Sequence, residues 1–331
     1  MSRKVQQAVL RIGVSLAALG VVLYFLRDKV TESLKILQSG VSWNWFLLAA
    51  AGYLAVQLIM AYRLYRIFAI QKVAVSYGQT CYLCFLGLFF NLFLPSALGG
   101  DVAKIYYAYK HSGKHIESAT AILVDRLVGL MAISLIALTA IGWLQWQGRL
   151  PDPRIAFGAL FFLVVLGALA VFFSNETIAR FFARFSFLIP SLGVREKIGQ
   201  VYQALHGCKN HGKTLALGLL ISFLGQGVLI FLYYWIGRSL GLSVPPEVFF
   251  ALVPLISVAS MAPSLGGLGV REAGAIYFLS LYMEPEMALA HSLLMNILIY
   301  GFGVISGLVF AFKGGLRSTA MTGMEPVQEG S

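Results

Sequence analysis

Six stretches of this chain stay apolar for about the thickness of a lipid bilayer. Crossing hydrocarbon as a helix takes roughly 20 residues at 1.5 Å each, and the segments at about 8–26, 45–62, 127–147, 155–173, 214–237 and 287–311 meet that length. Only 12% of the 331 residues are charged and 59% are hydrophobic. Ordinary globular chains are about 25% charged, so a soluble fold could not hide this much apolar surface. The expected fold class is an all-α integral membrane protein.

Two further apolar regions are interrupted. The run 77–94 stops at Pro95-Ser96-Ala97-Leu98-Gly99-Gly100, and the run 247–262 stops at Pro263-Ser264-Leu265-Gly266-Gly267-Leu268-Gly269. Proline lacks a backbone donor and glycine tolerates non-helical dihedrals, so the helix must open at each break. Open backbone at membrane depth survives only inside protein or beside a water-filled cavity. The expectation is about six full transmembrane helices plus two broken re-entrant hairpins, about 77–110 and 247–283, in inverted arrangement.

Charge supports that topology. With the amino terminus inside, the hairpin arrangement puts 17 Lys and Arg on the cytoplasmic side, Arg63 and Arg126 among them, and 6 outside. Single crossings at the breaks would give 11 and 12, erasing the positive-inside bias. All five Trp (Trp43, Trp45, Trp143, Trp146 and Trp235) fall near the outer ends of spans, where interfacial rings are at home. The first apolar run ends in Arg27-Asp28-Lys29 with no small-residue cleavage site, so it reads as an uncleaved span. Residues 1–313 then form one transmembrane domain, with a cytoplasmic amphipathic linker at 174–213 and a disordered cytoplasmic tail at 314–331. Both termini are expected in the cytoplasm.

The two breaks share a Pro-Ser start, a Gly-Gly pair and a following cation, Lys104 in one and Arg271 in the other. Paired Gly/Pro-interrupted segments in corresponding halves are the best sequence pointer to a transporter site. A helix restarting near Asp101 or Val270 points free N–H groups and its positive dipole end at the cavity. An added Lys or Arg suits a phosphate there. Asp101 and Glu272 can balance these cations, and Asp125-Arg126 can form a second gate pair. The plainer alternative is that the glycines only permit close helix packing and the charges snorkel to the interface.

Three motifs carry a resemblance: NLFLPSALGGDVAK at 91–104, LVDRLVG at 123–129 and PSLGGLGVRE at 263–272. In this order and spacing they resemble the lysylphosphatidylglycerol synthase flippase-like transmembrane family over residues 10–312. The resemblance implies the lipid-translocating membrane half, without the aminoacyltransferase domain that bifunctional members carry after it. It also implies a bacterial inner-membrane location and an anionic or aminoacylated phospholipid, or lipid-linked headgroup, as cargo. Lys104 stands where the family pattern often has Arg. The substrate-binding set is expected to be Asn91, Pro95, Ser96, Gly99, Gly100, Asp101, Lys104, Asp125, Arg126, Pro263, Ser264, Gly266, Gly267, Gly269, Arg271 and Glu272.

Other signals are weaker. Cys81-x-x-Cys84 sits in an apolar segment with no second pair, and His111 and His115 lack a carboxylate cluster to complete a metal site. His291 stands alone in the last span, where a hydrogen bond to a neighbouring helix is the favoured role. Basic residues are scattered between apolar blocks, which suits lipid headgroups and not nucleic acid. No nucleophile, phosphate loop or metalloprotease motif appears, so no cofactor and no enzyme activity is expected. A protein that docks a membrane-associated glycosyltransferase or lipid synthase is the alternative function. An intramembrane lipid-modifying enzyme using Asp101, Asp125 or Glu272 as acid or base ranks below it.

Overall fold

A computed structural model describes residues 37, 40–93, 99–150, 152, 154–174, 212–260 and 270–312. The first apolar run, both break segments, the linker beyond 174 and the tail lie outside the described residues. Among those described, all regular structure is helical. The order is α1 (Trp43–Ile70), α2 (Tyr77–Phe93), α3 (Gly99–Ser112), α4 (His115–Trp146), α5 (Arg154–Ser174), α6 (Gly212–Ser239), α7 (Pro246–Ala259), α8 (Val270–Leu279) and α9 (Pro285–Phe312). α1, α4, α6 and α9 are each long and apolar enough to cross a membrane. Their outer faces carry bare apolar side chains such as Leu47, Trp143, Leu220 and Ile305, as a lipid-facing surface requires.

The chain divides into two repeats of the same design: a long helix, a broken helical pair and a second long helix. Trp43 and Gly212, Tyr77 and Pro246, Gly99 and Val270, and His115 and Pro285 open equivalent helices and lie 169, 169, 171 and 170 residues apart. Local signals set these starts. Ser76 and Gln79 form a reciprocal capping box at α2, with Gln79 Oε1 2.8 Å from the Ser76 amide and Ser76 Oγ 3.3 Å from the Gln79 amide. Proline occupies the first turn of α7, where its missing N–H costs nothing. Gly113, at φ +72°, makes the sharp turn from α3 into α4.

The repeats run in opposite directions. α1 and α6 pack antiparallel, for the Ser42 amide donates to the Ser239 carbonyl at 2.8 Å, and further along Arg63 reaches Ser222. Gly52 admits Trp235, and Gly225 admits Met60 and Ile59, so the two backbones approach closely along the crossing. Each broken pair folds back on itself. Gln79 at the start of α2 meets His111 near the end of α3 at 2.8 Å, and Lys114 Nζ donates to the Lys72 carbonyl at 2.9 Å. The α2–α3 hairpin therefore opens at the α1 C-terminal end of the bundle. The α7–α8 hairpin opens at the other end, where Arg149 pairs with Glu247 and its carbonyl accepts from Tyr282 Oη.

The two helical pairs thus open at opposite ends of the bundle. Two departures are informative. α4 begins at His115, twelve residues before the expected span, so Asp125 and Arg126 sit within a helix and not at its mouth. Arg63, expected among cytoplasmic charges, is buried at 5% exposure between α1, α4 and α6.

Candidate site between the two repeats

The apolar interior has two parts. One, toward the α1 N-terminal end, includes Tyr53, Leu144, Ile236, Leu252 and Leu298, and the other, toward the α1 C-terminal end, includes Leu64, Phe68, Leu83, Ala108 and Val124. Buried charge in such surroundings must be paired, and here it is paired. Arg63 grips Asp125 with two bonds, Nε to Oδ1 at 2.7 Å and Nη2 to Oδ2 at 2.9 Å. Its Nη1 donates to Ser222 Oγ at 2.8 Å, whose hydroxyl in turn donates to the Gly218 carbonyl. Gly129 makes room for this guanidinium, since a Cβ there would stand 3.2 Å from Nη1.

Linked to this pair through Arg126, the neighbour of Asp125, Asp101 in the first turn of α3 holds two cations. Lys104 Nζ lies 3.3 Å from Oδ1, and Arg126 Nε from α4 lies 2.5 Å from Oδ2. Asp125 and Arg126 are therefore not a gate pair with each other, because adjacent helix positions project about 100° apart and each reaches a different partner. The α3 N-terminus is also less open than expected. The Gly100 amide donates to Asn91 Oδ1 at 2.6 Å, so the side chain of α2 caps the restarted helix. Gly100 packs against the Gly87 backbone, and Gly87 packs against the Lys104 stem, so the close-packing role of glycine applies within this hairpin.

Between these elements lies a cavity of about 370 Å³. Gln57, Met60 and Arg63 of α1, Lys104 of α3, and Asp125, Arg126, Gly129, Leu130 and Ile133 of α4 line one side. Gln226 and Leu229 of α6, with Ser257, Val258 and Ser260 at the end of α7, line the other. The cavity thus joins the first hairpin's cation to the broken tip of the second hairpin. Gln226 Oε1 is buried there without a hydrogen-bond partner.

Arg271 and Glu272 are not on this lining. Arg271 Nη2 donates to Glu272 Oε1 at 3.1 Å, Asn296 Oδ1 at 2.6 Å and Tyr300 Oη at 3.0 Å, with the guanidinium over the Tyr300 ring. Asn296 Nδ2 donates to Glu272 Oε1 at 2.8 Å. This arrangement repeats that of the first half. Asp101 and Glu272 are each the third residue of the restarted helix, and Arg126 and Asn296 are each the twelfth residue of the next one. Both acids accept from that twelfth side chain.

Of the site residues expected from sequence, Asn91, Gly99, Gly100, Asp101, Lys104, Asp125 and Arg126 come together, and Arg271 and Glu272 form a separate group. Pro95, Ser96, Pro263, Ser264, Gly266, Gly267 and Gly269 lie outside the described residues. Sequence reading missed Arg63, Gln57, Ser222, Gln226, Asn296 and Tyr300. An arginine inside an apolar helix, with an aspartate inside another, was the available signal for Arg63.

His291 is fully buried, bonds the Tyr233 carbonyl across helices at 2.8 Å and stacks between Tyr233 and Phe249, a structural role. Cys81 and Cys84 are free thiols. Among the described residues no group of His, Cys, Asp and Glu could hold a metal ion.

No curated protein matches the chain. A family model, the lysylphosphatidylglycerol synthase TM region, matches residues 9–307. That span includes every helix start and the paired charges of both half-sites, and this multi-pass membrane protein belongs to that family.

Proposed function

We propose that the chain moves a phosphate-bearing lipid headgroup between the leaflets of a bacterial inner membrane, with the two hairpins re-entrant from opposite faces. The observation that carries this reading is the cavity itself. It sits at the junction of two inverted repeats, is lined by paired buried charges, and is bounded by apolar helices that can leave acyl chains in lipid. Buried charge in a membrane protein marks a substrate or ion path more often than a structural need.

The mechanism is alternating exposure. The α4–α7 and α9–α2 boundaries are equivalent and similarly packed, the second with Leu92 seated on Gly303 and Phe89 on Gly307. Parting of one boundary while the other stays packed, in alternation, would present the headgroup to each face in turn. The end of the bundle carrying Lys72, Lys110 and Lys114 is assigned to the cytoplasm by the positive-inside rule. Asp101, Asp125 and Glu272 are each engaged by cations, which suits transport better than proton transfer to a substrate.

Leaflet exchange of a headgroup-labelled anionic phospholipid in proteoliposomes tests the reading. Exchange should be lost in both Lys104→Ala and Arg271→Ala while insertion and elution profile are kept. Unchanged exchange in both variants overturns it.

A further inference from the structure

Two glutamines stand in the middle of the bundle. Gln57 is the fifteenth residue of the 28-residue α1 and Gln226 the fifteenth of the 28-residue α6, so they occupy equivalent positions of the two repeats. Antiparallel packing brings them to one level. A Cβ at Gly225 would meet Met60, and Arg63 bonds Ser222, a register that sets Leu58 level with Gly227. Gln57 and Gln226 flank that point, where the pseudo-two-fold axis of the inverted repeats passes, and both line the cavity.

An amide at the middle of a bilayer is costly unless its polar atoms are bonded. Gln226 Oε1 is buried, yet no described residue bonds it, so this acceptor is available to a group entering the cavity. Ser257 and Ser260 share the lining. Their hydroxyls donate to the Val253 and Ile256 carbonyls at 2.8 and 2.7 Å, which leaves their oxygens as acceptors. All four side chains are uncharged. An alcohol suits them, because it donates to amide and serine oxygens and accepts from an amide N–H. An alkyl group in its place would leave Gln226 Oε1 unpaired.

We infer that Gln57 and Gln226 are specificity-determining residues that read headgroup hydroxyls, so the cavity takes a phosphodiester carrying an alcohol over one ending in an alkyl chain. The inference rests on the headgroup role proposed for the cavity and adds what is recognised beyond the phosphate. Because the two amides are equivalent under the inverted repeat, a headgroup arriving from either leaflet meets the same chemistry.

Binding separates this inference from translocation. Phosphatidylpropanol with the same acyl chains matches phosphatidylglycerol in charge and lacks its headgroup hydroxyls. Native mass spectrometry of the detergent-solubilised protein, titrated with each lipid, should show phosphatidylglycerol retained about fivefold more strongly. Gln226→Met should abolish that preference while leaving retention of phosphatidylpropanol unchanged, a split that loss of fold would not produce. Gln57→Met should weaken the preference in the same way, and stands as the second test where the first variant does not insert. Equal retention of the two lipids by the native protein overturns the inference, as does a preference unmoved by either substitution. Preferential retention with no leaflet exchange in vesicles would leave the hydroxyl reading standing and remove the transport reading.

Discussion

Arg63 and Asp125 show what a single buried pair does in this molecule. The side chains are 7% and 14% exposed and meet through two bonds, so removing one partner strands a charge. Arg63→Ala should lower stability by about 3 kcal/mol or more, read as a drop in melting temperature of the detergent-solubilised protein. Replacing both, Arg63→Met with Asp125→Leu, should recover much of the loss. A double variant no more stable than the single one would contradict the pairing. Glycine offers a second contrast. A Cβ at Gly100 meets Asn91 at 2.8 Å and the Gly87 backbone closer still, while one at Gly142 meets nothing within 4 Å. Gly100→Ala should cost about 1–3 kcal/mol and Gly142→Ala little, by the same melting assay. Lys104, Asp101 and Asn91 were legible because they flank a visible break. Arg63 was not, because its partners lie 62 and 159 residues away and a single sequence does not show which distant acid meets which base.

At the scale of elements, the breaks were the readable feature. Proline and glycine stop helices by their own chemistry, without help from the rest of the fold, and the helices α2, α3, α7 and α8 lie on either side of the two expected breaks. The start of α4 was misplaced because Glu117, Asp125 and Arg126 make its first half look like a solvated loop. Tertiary pairing, with Asp125 on Arg63 and Arg126 on Asp101, is what lets a charged segment stay helical among apolar neighbours. The hairpin geometry makes a labelling prediction. In a cysteine-free background, Gln79→Cys and His111→Cys should react with a membrane-impermeant maleimide from one face only. Arg149→Cys and Tyr282→Cys should react from the opposite face only. Labelling of residues 79 and 111 from opposite faces would mean that this region crosses the bilayer once and does not fold back.

Across the whole molecule, the inverted repeat governs the rest. The repeats share helix order and the acid-to-twelfth-residue contact, and their α4–α7 and α2–α9 boundaries are similarly packed. The sequence disclosed the duplication through its paired breaks, but not how the halves pack, as with Leu92 on Gly303 and Phe89 on Gly307. If the headgroup crosses by alternate parting of these two boundaries, α2 must leave α9 once in each cycle. The most direct measurement is the rate of leaflet exchange of phosphatidylglycerol in proteoliposomes carrying Leu92→Cys with Gly303→Cys, before and after oxidative cross-linking and again after reduction. The account predicts that the cross-link stops exchange and that reduction restores it. Exchange continuing at the uncross-linked rate while α2 is tethered to α9 would contradict it.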